Sequence, residues 1–403
     1  MGISRSNIKN CFVNIVVFCA SLVVARSCHG SKHVALFIFG DSLYDAGNNK
    51  YIEDAPIFSD FWPYGETFFK HPTGRPCDGR LIPDFIAQYA NLPLIPPYLQ
   101  PGDHQFMDGE NFESKGDLVV AENLQGMVIS SEIQQHLQSS NHRFINGVNF
   151  ASSGAGALVE THHGWVINLS TQLSYFKHMK RQLRLQLGEA EAKKLLSTAV
   201  YMFSIGGNDY FAALTPTHSL LQLYSREEYV GMVIGNITTV IQEIYKIGGR
   251  RFGLSTLIAL GCLPSLRAAK QERTGVSGCL DEATMFAKLH NRALPKALKE
   301  LEGQLEGFRY SIFDAYVAGR ERINNPSKYG FKEVQEACCG SGPYRSFPTC
   351  GQKGYQLCDN ASEYFFFDLA HPTESANNQF AKLMWSGSLD IVKPYNLKTL
   401  FEE

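Results

Sequence analysis

This 403-residue sequence has no excess of charge of either sign: 37 Lys and Arg stand against 39 Asp and Glu, a formal net charge of −2. That balance offers no basic face for nucleic acid or an anionic membrane surface, so neither partner is expected. Long apolar runs are also scarce. The longest useful one, Cys11–Val24, contains Asn14 and falls short of the ~20 residues that span a bilayer. Arg5 and Lys9 precede it and the small residues Ala25 and Ser27 follow. It therefore reads as a secretory signal over residues 1–27, cleaved between about 27 and 30, with a membrane anchor as the alternative. No other segment could span.

Histidines at ligand spacing are missing near the cysteines, which argues against a zinc site. In the oxidising compartment that a signal implies, cysteines read as disulfides instead. A pairing of Cys262 with Cys279 would close the loop between them, and Cys338, Cys339, Cys350 and Cys358 would make two more bridges. Spacing leaves the connectivity of that second group open. Cys77 is the odd one out and reads as a free thiol. The sequons at Asn168, Asn236 and Asn360 are glycan acceptors if exposed, the last eight residues before Asp368.

What is present is ample apolar content, 44 % of residues, enough for a packed core. Val34–Phe39, Ala199–Ile205, Arg251–Ile258 and Phe308–Phe313 read as buried strands. Glu228–Ile247, Asp281–Leu305 and Glu374–Leu383 read as helices. The alternation predicts βαβ units around a mostly parallel sheet covered on both faces, within one domain over 31–395. Sites in such sheets lie beyond the carboxyl ends of strands near a topological switch point. Ser42 and Asn208 both fall at that edge.

Between them lies a repeat. Residues 99–134 align without gaps to 137–172, and fourteen of the 36 positions are identical, including His104/His142, Asn111/Asn149 and Gly116/Gly154. Ordinary composition would give roughly two or three, so a tandem duplication is expected, with one copy surplus. The second copy keeps small residues over Ala151–Gly156, whereas the first has charged Glu113, Lys115 and Asp117. The second is therefore expected to be the working copy.

Three motifs carry chemistry. Gly40-Asp41-Ser42 alone is most often a turn, but here it ends a strand and opens the Gly/Asn-rich run Leu43–Asn49. A serine hydroxyl becomes a nucleophile once a base takes its proton. Asp368-Leu-Ala-His371 offers that base, with a carboxylate three residues away to hold the ring; a helix-capping pair is the alternative. Ser204-Ile-Gly-Gly-Asn-Asp209 lets the Asn208 amide approach an oxyanion, where a plain Gly-Asn turn is the alternative. The backbone N–H groups of Ser42 and Gly154 are the other candidate donors.

Together, Phe39-Gly-Asp-Ser-Leu43, Asn149–Gly156, Ile205–Asp209 and Asp368–Glu374 resemble the four sequence blocks of the GDSL (SGNH) esterase/lipases, in their secreted plant branch. The likeness runs from about Ala35 to Val392 and includes Cys338-Cys-Gly340, Cys350-Gly351 and Leu357–Asn360. It implies a flavodoxin-like three-layer α/β/α domain and an extracellular location, apoplast or cell wall. It also implies Ser42 as nucleophile, His371 as base, Asp368 as its partner, and Gly154 and Asn208 as oxyanion donors. The duplication departs from the single second block usual in the family.

The expectation is a secreted, glycosylated carboxylic-ester hydrolase that forms an acyl-enzyme on a small-molecule or lipid ester and needs no metal or cofactor. Acyl transfer by the same residues and a silent binding protein that keeps the fold are the alternatives. Leu43, Phe61, Trp62 and Phe69 are candidate acyl-pocket residues, with plain core as the other reading.

Overall fold

The computed structural model describes residues 34–53, 55, 59–101, 144–215 and 223–403. The first repeat copy from residue 102 onward lies outside the described residues, as does the signal segment.

The chain begins with β1 (Leu36–Gly40), followed by α1 (Ile82–Tyr89), β2 (Gly147–Asn149) and the long α2 (Leu169–Thr198), which is interrupted at Gly188. Next come β3 (Val200–Ser204), the short α3 (Gly207–Ala213), α4 (Arg226–Ile247) and β4 (Arg251–Ser255). Then follow α5 (Pro264–Thr274), α6 (Asp281–Gln304), β5 (Arg309–Phe313) and α7 (Ala315–Asn324). Short strands β6 (Glu333–Ala337), β7 (Cys339–Gly340), β8 (Gln356–Leu357) and β9 (Tyr364–Phe366) precede α8 (Glu374–Ser386), β10 (Val392–Pro394) and α9 (Leu397–Glu402).

The main sheet runs β10-β5-β4-β3-β1-β2, parallel except for β10. Read from the other edge, the parallel strands are ordered 2-1-3-4-5, the flavodoxin-like order with its switch point between β1 and β3. Every residue of β1 and β3 is buried, so both faces of the sheet are covered, as continuous apolar runs predict. On one set of contacts α1 packs on α8 and α8 on α9; on another, α2 packs on α4 and α4 on α6. The expected α/β fold is borne out.

Local sequence explains the layers. In α4, Tyr229, Val230, Val233, Ile237, Ile241 and Ile244 are buried at helical spacing. A capping box starts the helix: the Ser225 hydroxyl accepts from the Glu228 N–H, and the Glu228 carboxylate accepts from the Ser225 N–H.

One strand is shorter than its apolar run suggested. β4 stops at Ser255 because the Asn291 side chain captures the next backbone groups, accepting from Leu257 N–H (2.8 Å) and donating to its carbonyl (2.7 Å). Leu257 and Ile258 thus leave the sheet and turn toward a cavity.

The disulfides are Cys262–Cys279, Cys338–Cys358 and Cys339–Cys350, which fixes the connectivity the spacing left open. Cys77 is a buried free thiol. Among the described residues no helix is long and apolar enough to cross a membrane.

Candidate active site

β1 delivers Ser42 onto a rigid turn. Its last residue, Gly40, has φ 151°, and a Cβ there would run into the Ser204 carbonyl oxygen of β3, so glycine is required. The buried Gln172 amide grips the same residue, accepting from Gly40 N–H at 2.9 Å and donating to its carbonyl at 2.8 Å. Asp41 N–H bonds Ser204 O, and its carboxylate takes the Leu43 N–H at 3.1 Å. Ser42 sits partly exposed at the apex.

The Gly/Asn-rich run after Ser42 binds the second block. Asp45 accepts from Gly47 and Asn48 N–H with one oxygen, and from Ser153 N–H and hydroxyl with the other. Asn49 donates to Ser153 O, while Asn149 donates to Tyr44 O. All of these side chains are buried. Polar groups so deep persist because each is satisfied. The result is a fixed path from β2 to Gly154, which adopts φ 85°.

The third block locks that path from the other side. Asp209 accepts from Ala157 N–H (2.9 Å), Leu158 N–H (3.0 Å) and the Thr161 hydroxyl (2.6 Å). The Asn208 amide donates to Ala155 O at 2.9 Å, which leaves its second hydrogen available. His162 Nδ1–H donates to the Gly154 carbonyl at 2.7 Å. Gly154 and Asn208 therefore belong to one hydrogen-bonded unit.

Asp368 and His371 come from outside the main sheet, on the turn between β9 and α8. The Asp368 carboxylate accepts from Ala370 and His371 N–H, both at 2.9 Å, and from His371 Nδ1 at 2.8 Å. That contact keeps the ring proton on Nδ1 and leaves Nε2 as the acceptor. Cys338 and Cys339 N–H donate to Phe366 and Phe367 carbonyls, so the two neighbouring disulfides clamp the strand that leads into the turn.

Electrostatics suit a base. Burial works to lower the His371 pKa, yet the Asp368, Asp41 and Asp45 carboxylates hold it above its ordinary 6.5. Burial would raise Asp368, but the His371 charge and the hydrogen bonds it accepts bring it below the usual 3.8. Asp41 behaves oppositely. Burial pushes it up to about 7, against the pull of the Leu43 N–H and the His371 charge.

Ser42, Gly154, Asn208, Asp368 and His371 all line a single cavity of about 570 Å³. Its walls are largely apolar, with Phe211, Ile258, Leu260, Leu263 and Leu266 prominent. Of the four expected acyl-pocket residues, Leu43 and Phe61 line it and the other two do not. Trp62 points outward and is half exposed, while Phe69 lies beneath the Arg75 guanidinium, whose charge it faces at 4.8 Å. No local pattern pointed to Tyr64, whose hydroxyl donates to Asp368, nor to the supports Asp45, Gln172 and Asp209. These act only through folding contacts. Among the described residues no group of His, Cys, Asp or Glu could hold a metal ion.

Of the three sequons, Asn236 is exposed but its amide donates to Ala157 O, and Asn168 caps α2 by accepting from Thr171 N–H. Asn360 is exposed, with its oxygen bonded to Ser362.

Many doubly wound proteins carry a ligand at this switch point; a carboxylate-backed histidine that shares an apolar cleft with a serine is the constellation of the serine acyl-transfer enzymes, to which ester hydrolases belong. Residues 36–384 match the GDSL-like lipase/acylhydrolase family, and the chain belongs to it. Among its relatives is GDSL esterase/lipase 1 of Arabidopsis thaliana, 47 % identical over 376 residues covering 91 % of this chain and 90 % of the relative. GDSL lipase of Tanacetum cinerariifolium is 45 % identical over 393 residues, 97 % of this chain and 93 % of that protein.

Proposed function

We propose that the chain is a secreted serine carboxylic-ester hydrolase acting through Ser42, His371 and Asp368. Ser42 Oγ attacks the ester carbonyl carbon as its proton passes to His371 Nε2. The Gly154 N–H, the Asn208 amide and the Ser42 N–H take the charge that develops on the carbonyl oxygen. Collapse expels the alcohol, which receives the proton from His371 and leaves an acyl-serine. A water then gives its proton to the same nitrogen and attacks the acyl carbon; the acyl–Oγ bond breaks, Ser42 Oγ takes the proton back from His371, and the acid is released.

The observation that carries this reading is the 2.8 Å contact from Asp368 to His371 Nδ1 at the edge of the cavity that Ser42 lines. The apolar walls favour an ester with an apolar acyl chain. Secretion is supported by the three disulfides, and Asn360 is the sequon best suited to carry a glycan. The second repeat copy serves as the working one, since its residues pair with β1 and supply Gly154.

Replacement Ser42→Ala tests the assignment. Turnover of short p-nitrophenyl esters should vanish while the circular dichroism spectrum and melting profile stay as in the wild type. Persistent turnover would sink it.

A further inference from the structure

We infer that Tyr64 is a positioning residue for ester hydrolysis, holding the Asp368 carboxylate in the orientation that meets His371 and limiting how strongly that carboxylate attracts the imidazole proton. This rests on the reading of His371 as the base.

Among the described residues two side chains bond the Asp368 carboxylate: His371 and Tyr64. The Tyr64 hydroxyl donates to Oδ2 at 2.8 Å, from a residue only 7 % exposed, separated by 304 positions in sequence. Its ring meets Phe61 and Phe367 edge-on, with centroids 5.2 and 5.3 Å away. Cys338, Cys339 and Cys350 complete the same small core. Two disulfides and two aromatic rings therefore fix the donor in place, and the phenol has little freedom to turn away.

The chemistry follows from the charges around it. Burial and the neighbouring Asp368 push the phenol well above its ordinary pKa, so it stays a donor at every working pH. A donor on Oδ2 draws electron density from the carboxylate and makes it a weaker proton acceptor. His371, which also faces Asp41 and Asp45, then keeps a lower affinity for its second proton than it would beside an unrestrained carboxylate. Tyr64 itself faces Asp368 and Cys77, and interacts with the Ser59 hydroxyl, which lines the cavity. Asp41 in turn senses Asp209. Of these groups Tyr64 alone presents a hydroxyl to Asp368.

The test is Tyr64→Phe, which keeps the ring and its packing. With p-nitrophenyl butyrate as substrate, kcat should fall roughly tenfold, ~1.4 kcal/mol of transition-state stabilisation, with KM little changed. The acid limb of the kcat/KM profile should move to higher pH, which a merely structural role would not produce. Incorporation of 3-fluorotyrosine at position 64, a more acidic phenol and stronger donor, should move that limb to lower pH. The fluorinated protein also decides the matter should the phenylalanine variant fail to fold. Wild-type kcat and an unmoved limb in Tyr64→Phe, or an unmoved limb with fluorotyrosine, would overturn the inference. His371→Ala separates the two readings: activity surviving there removes the base assignment itself, whereas an inactive His371→Ala beside a wild-type-like Tyr64→Phe removes only the role of Tyr64.

Discussion

Asp209→Asn is the sharpest probe of how the site is held together. One Asp209 oxygen accepts the Ala157 N–H, and the other accepts the Leu158 N–H and the Thr161 hydroxyl. An asparagine of the same shape turns one oxygen into an NH₂ group. Whichever way the amide is placed, a donor then faces a backbone N–H, and that buried N–H loses its partner. Such a loss costs about 1–3 kcal/mol. The substitution also removes a buried carboxylate whose pKa burial raises, which offsets part of that cost, so global stability should change less than activity. The strained segment runs through Ala155, the acceptor for Asn208, back to Gly154. Displacing one oxyanion donor lowers kcat by ~10²–10³ when the loss is complete; a partial shift should give roughly a tenth of that effect. The assay is kcat and KM with p-nitrophenyl butyrate, alongside amide hydrogen exchange. Lower kcat, nearly unchanged KM and faster exchange at Ala157 and Leu158 are expected. Wild-type kcat with unchanged protection at both amides would refute the reasoning, as would faster exchange spread evenly over β1 to β5.

The remaining predictions concern pH and the disulfide clamp. Because His371 is held above 6.5 and acts as a base only when neutral, kcat/KM should reach half its maximum above pH 6.5; a midpoint below that in a pH–rate profile contradicts the electrostatic account. The linked stability has the opposite direction: it is fully present below 6.5 and is lost as pH rises through the raised value, measurable as a falling urea midpoint. Replacing Cys339 and Cys350 by serine opens a loop of sequence separation 11, worth about 3 kcal/mol of chain entropy, and should lower the melting temperature by several degrees. The same loop carries Phe347 and Pro348 on the cavity wall, so KM for an octanoate ester should rise more than KM for an acetate ester. Equal changes for both esters would count against a wall built by this loop.

Strands β1, β3, β4 and β5 and helices α4, α6 and α8 were legible because their signals are local. β1 and β3 are largely apolar runs buried on both faces, β5 is buried from Tyr310 to Phe313, and α4 and α6 carry buried residues at helical spacing. Ser42, Gly154, Asn208, Asp368 and His371 stood out because each sits in a short motif whose residue types already state a chemistry. Pairing among four clustered cysteines was illegible, since every combination satisfies the spacing and only the course of β7 and β8 selects one.

By itself, the sequence determined four strands of the main sheet and three of its covering helices, the strand ends where the site would form, and the residue types able to cleave an ester, since propensity, periodicity and side-chain chemistry are properties of neighbours in the chain. Only the tertiary structure decided which distant groups hold those residues still. Tyr64 reaches Asp368 across 304 positions, Gln172 reaches Gly40 across 132, and Asp45 reaches Ser153 across 108. A buried polar group needs a partner wherever the fold supplies one, and no local pattern records where that will be.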